Sequence, residues 1–307
     1  MRALIVIAHY FHPEENPRHA AVNAAKRSDR SNAVRRVIAS WRHLFGNTAT
    51  LNIEKRAFEP VVGHIDSMAI CVLTTKGRHL LDQDFCKANG VQLIDCDIEN
   101  PRFLGFQATK IFADARNHFD YFVFSEDDLL VCDPLFFDKY RWFGETFGYR
   151  RLLMPNRFEW NLKGPAVKTY IDGDIARRAY DRWSSAIADE EFLQARSLAR
   201  EFHFRRARNP HSGMHVVTSE QLSYWMEQPH WADQDASFVG PLESAATLGA
   251  LKTFALYKSV GRSASFMDVE HLDHAFSGLS LPGARRDVSA ARAADAQAKP
   301  SEENSGA

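Results

Sequence analysis

The sequence predicts an α/β fold, a mixed β-sheet flanked by helices, on three observations. Runs rich in β-branched and aromatic residues recur at strand length, from Ala3 to Phe124. Polar or helically spaced segments separate these runs. The strands and helices therefore alternate, as they do in a sheet with helices on its faces.

Bulk composition agrees with this class. Of the 307 residues, 45% are hydrophobic and 25% charged, a globular balance that excludes disorder throughout. The chain carries 38 Lys plus Arg against 39 Asp plus Glu, a formal net charge of -1. No overall field draws in nucleic acid or anionic lipid, and only a local basic site stays open. The apolar run Leu4–Ala8 is too short for a signal-peptide core, and no stretch reaches the roughly 18–20 apolar residues of a membrane helix. The expectation is a cytoplasmic protein with no transmembrane segment and no nucleic-acid partner. Cys71, Cys86, Cys96 and Cys132 lie too far apart for a zinc knuckle or a disulfide framework, and read as small buried hydrophobes.

The elements follow in order. Ala3–Ala8 is a continuous apolar strand of the kind buried on both faces. A polar loop rich in His, Pro, Asn and Arg runs from His9 to Arg30. Ser31 reads as the N-cap of a helix bearing Val34, Val37, Ile38, Trp41 and Phe45 on one face, closed by Gly46. Met68–Leu73 and Val91–Cys96 are strands, with a helix-compatible segment around His79–Lys87 between them. After Pro101, a helix over 104–119 gathers Leu104, Ala108, Ile111, Phe112 and Ala115, and Tyr121–Phe124 is a further strand. Arg151–Met154 is strand-like and 175–198 reads as mostly helical. The turn Asn209–Gly213 precedes a strand over Met214–Val217. Thr218 and Gln221 form a capping box for a helix through Trp225, and 242–256 carries another helix. From about Leu281 aromatic residues cease, which predicts a disordered tail. The expected organisation is one domain over 1–280 and a tail over 281–307.

Glu126, Asp127 and Asp128 stand together between Tyr121–Ser125 and Leu129–Val131, both strongly apolar. Three carboxylates at the end of a buried strand repel one another and lose hydration, and a divalent cation compensates both costs. Their hard oxygen donors suit Mg²⁺ or Mn²⁺. In an open α/β sheet ligands bind beyond the carboxyl ends of the strands, where this triplet falls. A solvated acidic turn is the plainer alternative.

The run Phe124-Ser125-Glu126-Asp127-Asp128-Leu129, followed by Asp133-Pro134-Leu135-Phe136-Phe137, resembles the Glu-Asp-Asp form of the DXD motif in GT-A glycosyltransferases, in the N-acetylglucosaminyltransferase I manner. The resemblance implies a GT-A type, Rossmann-like catalytic domain. It implies that Asp128 ligates a metal while Glu126 and Asp127 help hold the metal and the ribose of a nucleotide sugar. Phe238–Gly249 resembles the acidic helix start that supplies the general base in inverting members, with Glu243 in that role and Asp235 in reserve. Ser244 stands where the family often has a second acid. Of His271 and His274 near the end, His271 is the implied metal ligand. The implied partners are a nucleotide-sugar donor, UDP-linked first, and a glycan or glycolipid acceptor.

Supporting residues are weaker signals. His9 and Tyr10 follow the first strand, where an α/β site meets the base and ribose. Arg18, Arg27 and Arg30 lie in or after that loop, and an arginine fork suits a diphosphate. Lys110 falls at a position that approaches the nucleotide in the family. Gly213 would admit a sugar close to the backbone. Phe158 and Trp160 are carbohydrate-contact or core aromatics, and Asp172 and Asp174 are acceptor contacts or turn formers. No P-loop, Gly-x-Ser-x-Gly elbow or His-Glu-x-x-His occurs. The rival expectations are a Mg²⁺-dependent phosphohydrolase or nucleotidyltransferase, and a non-catalytic nucleotide-sugar or glycan binder.

Overall fold

The computed structural model describes residues 1–13, 23–63, 65–161, 167–179, 181–184, 187–274 and 276. The chain divides into two compact units, 1–158 with 170–273, and 159–169 with 274–307. Residues 281–307, expected to be a tail, lie outside the described residues.

The first unit begins with β1 (Arg2–Ala8), followed by α1 (Arg27–Phe45). A hairpin of β2 (Thr48–Asn52) and β3 (Ala57–Val61) leads to β4 (Ser67–Thr74). In α2 (Gln83–Ala88) the N-cap Asp82 accepts the Phe85 N–H at 2.8 Å, and β5 (Val91–Asp95) follows. A 3₁₀ turn over Pro101–Gln107 runs into α3 (Ala108–Ala115), then β6 (Tyr121–Glu126), buried along its whole length. After these come β7 (Leu129–Leu130), α4 (Phe136–Phe147), β8 (Arg151–Leu153), β9 (Asn156–Asn161) and β10 (Val167–Tyr170). The order closes with α5 (Asp181–Ser184), β11 (Phe192–Ser197), β12 (Arg200–Arg206), β13 (Met214–Thr218), α6 (Ser219–Met226), α7 (Pro241–Thr253), β14 (Ala255–Ser259) and β15 (Asp268–His271).

The central sheet has the order β13-β6-β1-β4-β5, parallel from β6 to β5 with β13 antiparallel at the edge. It is the mixed, helix-flanked sheet that the sequence predicts. Ala3, Ile5 and Ile7 of β1 pack on Val34, Val37, Ile38 and Trp41 of α1. Leu4 and Val6 face the other way, toward Phe112 of α3, Leu222 of α6 and Leu251 of α7. Burial on both faces explains the uninterrupted apolar run, because neither side of the pleat meets water. Two further sheets follow the orders β11-β12-β14-β8 and β9-β15-β7, with β15 antiparallel to β7 and parallel to β9. In the second unit, the outer part of β9 pairs with β10, and the Phe276 N–H donates to the Glu159 carboxylate at 3.1 Å.

Several elements differ from the sequence expectation. α1 begins before Ser31, after a 3₁₀ turn over Ala24–Lys26 whose N-cap is Asn23, accepting the Ala25 N–H at 3.0 Å. Gly46 does close the helix, with its N–H on the Arg42 carbonyl. Its φ is -76°, so glycine is needed there for space: a Cβ would lie 2.3 Å from the Arg42 oxygen. The helix expected over 104–119 is 3₁₀ as far as Gln107 and α-helical only to Ala115; it is started by Asn100, which accepts the Arg102 N–H at 3.1 Å, and by Pro101. The stretch 175–198 holds the short α5 and then a strand, β11, paired antiparallel with β12. Leu193 is buried from that strand, and cross-strand pairing overrides the local helical composition. The helix expected over 242–256 ends at Thr253, and its last apolar residues open β14. The hairpin β2–β3 gave no sequence signal, since its residues are mostly exposed and follow no clean alternation.

Candidate active site

β1 and β6 are parallel neighbours in a register that sets Ala8 beside Glu126. The residues that follow each strand therefore meet at one edge of the sheet. His9 Nδ1 lies 2.5 Å from Asp127 Oδ2, and His9 Nε2 accepts the Leu80 N–H at 3.0 Å. A ring nitrogen that accepts carries no proton, so Nδ1 is the protonated nitrogen and donates to Asp127.

Asp127 and Asp128 make the turn from β6 into β7, with the buried Arg30 of α1 against them. Arg30 Nη1 donates to Asp128 Oδ2 at 2.7 Å and Nη2 donates to Asp127 Oδ1. Burial opposes the guanidinium charge, but the two carboxylates outweigh it and raise Arg30 above its ordinary value. Burial likewise works to raise Asp127, yet Arg30 and His9 together hold it down to about 2. Glu126 is pushed up to about 8, by burial first and then by the charge of Asp128. Arg157 opposes that shift and Glu243 adds to it.

Glu126 Oε1 and Asp128 Oδ1 are buried with no hydrogen-bond partner among the described residues. Orphaned buried carboxylate oxygens are costly, and a hard cation satisfies them. No group of three His, Cys, Asp or Glu among the described residues is arranged to hold a metal by itself. The donor set instead suits Mg²⁺ or Mn²⁺ bound by one or two carboxylates, with substrate phosphate completing the shell.

β15 brings His271 to the same edge. It pairs with Leu129 in the antiparallel ladder, and its Nε2 lies 3.8 Å from Asp128 Oδ2. The Leu272 N–H donates to the Asp128 carbonyl at 2.9 Å. On the Glu126 side, His211 Nε2 lies 3.8 Å from Oε1, and its Nδ1 is 3.1 Å from Thr247 Oγ1 on α7. Burial, with Arg157 nearby, pushes His211 down to about 3. Gly213 has φ +61°, and a Cβ there would lie 2.6 Å from Glu126 Oε2.

A buried ion network backs this loop. Asp172 accepts the Arg157 backbone N–H at 3.0 Å and its Nε–H at 2.9 Å, and takes Lys258 Nζ at 2.8 Å. Burial works to raise Asp172, and the two cations bring it down to about 2. Lys258 Nζ also donates to the His211 carbonyl at 2.8 Å.

The structure thus gathers His9, Arg30, Glu126, Asp127, Asp128 and His271, and sets Glu243 at the first turn of α7 within electrostatic reach of Glu126. Asp235 instead binds Lys252 Nζ at 2.8 Å and accepts the Ser237 N–H at 2.9 Å. Burial works to raise it, and these bonds hold it down to about 2. Tyr10 Oη accepts from Arg78 Nη1 at 3.3 Å. Lys110 is exposed on α3, beside Cys96. Arg27 lies over the Phe11 ring, and Asp174 pairs with Arg205 at 2.6 Å. Phe158 is buried and Trp160 exposed. Arg18 lies outside the described residues, and His274 belongs to the second unit. Sequence reasoning missed Arg157, His211 and Lys258. A lysine inside the apolar strand Ala255–Ser259 was the available signal for the last of these.

No protein-family model matches the chain, and no curated protein matches it. Among solved structures it is similar to glucosyl-3-phosphoglycerate synthase from Mycobacterium tuberculosis in complex with phosphoglyceric acid, at 14% identity over 83% of this chain and 68% of that one, TM-score 0.42. The same enzyme in complex with Mg²⁺ and uridine diphosphate matches at 14% identity over 83% of this chain and 67% of that one, TM-score 0.39. Similarity this low says nothing about activity.

Proposed function

We propose that this chain is a metal-dependent GT-A glycosyltransferase, moving a sugar from a nucleotide-diphosphate donor to an acceptor hydroxyl. The supporting observation is the pair of buried carboxylate oxygens on Glu126 and Asp128, without partners among the described residues, at the carboxyl edge of the parallel strands. Asp128, Glu126 and His271 are the residues that would hold Mn²⁺ or Mg²⁺. When bound, the cation supplies neutralisation of the charge that develops on the departing diphosphate.

The chain's own residues do the rest. His9, through its Nδ1–H, fixes the orientation of Asp127, and with Tyr10 it borders the space for the base and ribose. Glu243 is the general base. Half-buried in the first turn of α7, it takes the proton of the acceptor hydroxyl. The acceptor oxygen bonds to the anomeric carbon as the bond to the diphosphate breaks, which inverts that carbon. Asp235 is the lesser candidate, because its ion pair with Lys252 keeps it a weak base. The donor is a UDP-sugar, and the acceptor is a hydroxyl of a glycan or glycolipid.

Calorimetry with UDP, GDP and CMP, each with and without Mn²⁺, tests the reading on the wild type and on Asp128→Ala. The expected result is metal-dependent binding of UDP that the variant loses. Unchanged metal-dependent binding in the variant would overturn the assignment of the acidic triplet.

A further inference from the structure

Arg30 already occupies the carboxylates on which a cation would act. Its side chain is only 10% exposed, and its planar fork delivers one N–H to Asp127 and one to Asp128. Asp128 is therefore divided: Oδ2 holds Arg30, while Oδ1 is buried without a partner among the described residues. Asp127 is shared in the same way between Arg30 and the His9 N–H. A divalent ion arriving at Asp128 meets a guanidinium that neutralises the same charge.

We infer that Arg30 is an internal counter-ion that competes with the divalent cation for Asp128 and is drawn from Asp127 and Asp128 onto the diphosphate when the donor binds. This rests on the glycosyltransferase reading. With no nucleotide present, the cation must either sit beside a buried positive charge or displace it, and displacement leaves the guanidinium unpaired at a cost. A diphosphate removes that cost, because phosphate oxygens accept the same two N–H donors that the carboxylates release. Metal and nucleoside diphosphate then each strengthen the binding of the other by the same factor.

The test is calorimetric titration of Mn²⁺ with and without UDP on the wild type, Arg30→Gln and Arg30→Lys, with thermal melting in parallel. The wild type is expected to bind Mn²⁺ at least about tenfold more tightly with UDP than without, the size of an ordinary coupling. Arg30→Gln is expected to bind Mn²⁺ alone about tenfold more tightly than the wild type, with the coupling reduced. Arg30→Lys, which keeps the charge but cannot fork onto both acids, falls between them. Removing a buried charge lowers stability, so Arg30→Gln should melt below the wild type without Mn²⁺ and recover when it is added. Unchanged or weaker Mn²⁺ binding in both variants, with no recovery on melting, would make Arg30 a fixed structural ion pair and overturn the inference. If no protein binds Mn²⁺ even with UDP present, the glycosyltransferase reading itself fails, and this inference with it.

Discussion

Lys258 donates from Nζ to the carbonyl oxygen of His211 at 2.8 Å, tying β14 to the loop that faces Glu126. The same ammonium pairs with Asp172, which in turn grips Arg157. Burial lowers the Lys258 ammonium below its ordinary value, so its two acceptors are what keep a cation in this place. Lys258→Met keeps an unbranched chain one atom shorter and removes both bonds. The loss expected is roughly 3–5 kcal/mol, because half of a buried pair is left uncompensated. Guanidinium unfolding measures it, and a loss under about 1 kcal/mol, the scale of an exposed pair, would show that the network is not buried as described.

Gly213 brings the backbone close against the Glu126 carboxylate. A methyl group there would lie 2.6 Å from Glu126 Oε2 and 2.8 Å from Leu129 Cδ1, at a φ of +61°. Gly213→Ala therefore costs about 1–3 kcal/mol in strain and moves the Glu126 carboxylate. Mn²⁺-dependent UDP binding should weaken together with the melting temperature. A variant that melts lower but binds normally would separate Glu126 from ligand binding.

His215 supplies a pH dependence. It stacks on Phe124 at 5.4 Å and bonds through Nδ1 to the Ala246 carbonyl at 2.9 Å. Burial pushes it from 6.5 down to about 4, against the opposing effect of the carbonyl. Below about pH 6.5 the unfolded chain takes up a proton that the folded chain refuses. The stability contributed is therefore complete above that pH, declines as pH falls, and is gone near pH 4. Its size is about 3 kcal/mol. Denaturant unfolding between pH 7.5 and pH 4 reads the slope, and His215→Phe should flatten it, with any remaining slope assignable to His211 and the carboxylates. An identical slope in the variant would exclude His215 as a source.

Glu243→Gln separates chemistry from binding. Transfer should fall by about 10²–10⁴-fold in kcat, the usual contribution of a general base. Mn²⁺-dependent UDP affinity should stay within about twofold, since Glu243 is assigned to the acceptor. A variant with wild-type kcat would return the base assignment to Asp235.

The central sheet was legible in the sequence because β1 and β6 are buried on both faces and read as unbroken apolar runs. Thr218 and Gln221 announced α6 equally clearly, and the capping box is present with both of its hydrogen bonds. Other elements depend on partners distant in sequence. Phe192–Ser197 becomes a strand because β12 is there to pair with it, and no local pattern says so. The acidic triplet was visible as three adjacent letters, but its counter-ion was not. Arg30 is one arginine among several near the first loop, and only the packing of α1 beside β7 selects it. The triad of Arg157, Asp172 and Lys258 draws on β9, the stretch just after β10, and β14, which no spacing rule connects.

The pairing of β1 with β6 also fixes when the site can come into being. His9 and Asp127 are 118 residues apart, so at about 5–20 residues per second the first waits about 6–24 s for the second during synthesis. β4 becomes available earlier and can cover one side of β1. Until β6 arrives, the other side of what will be an interior strand is a bare edge with open backbone donors and acceptors. A nascent chain stalled before Tyr121 thus carries a sticky hydrophobic border in place of the His9–Asp127 contact. Translation that runs steadily through Tyr121–Asp128 shortens the interval in which that border is exposed to other chains.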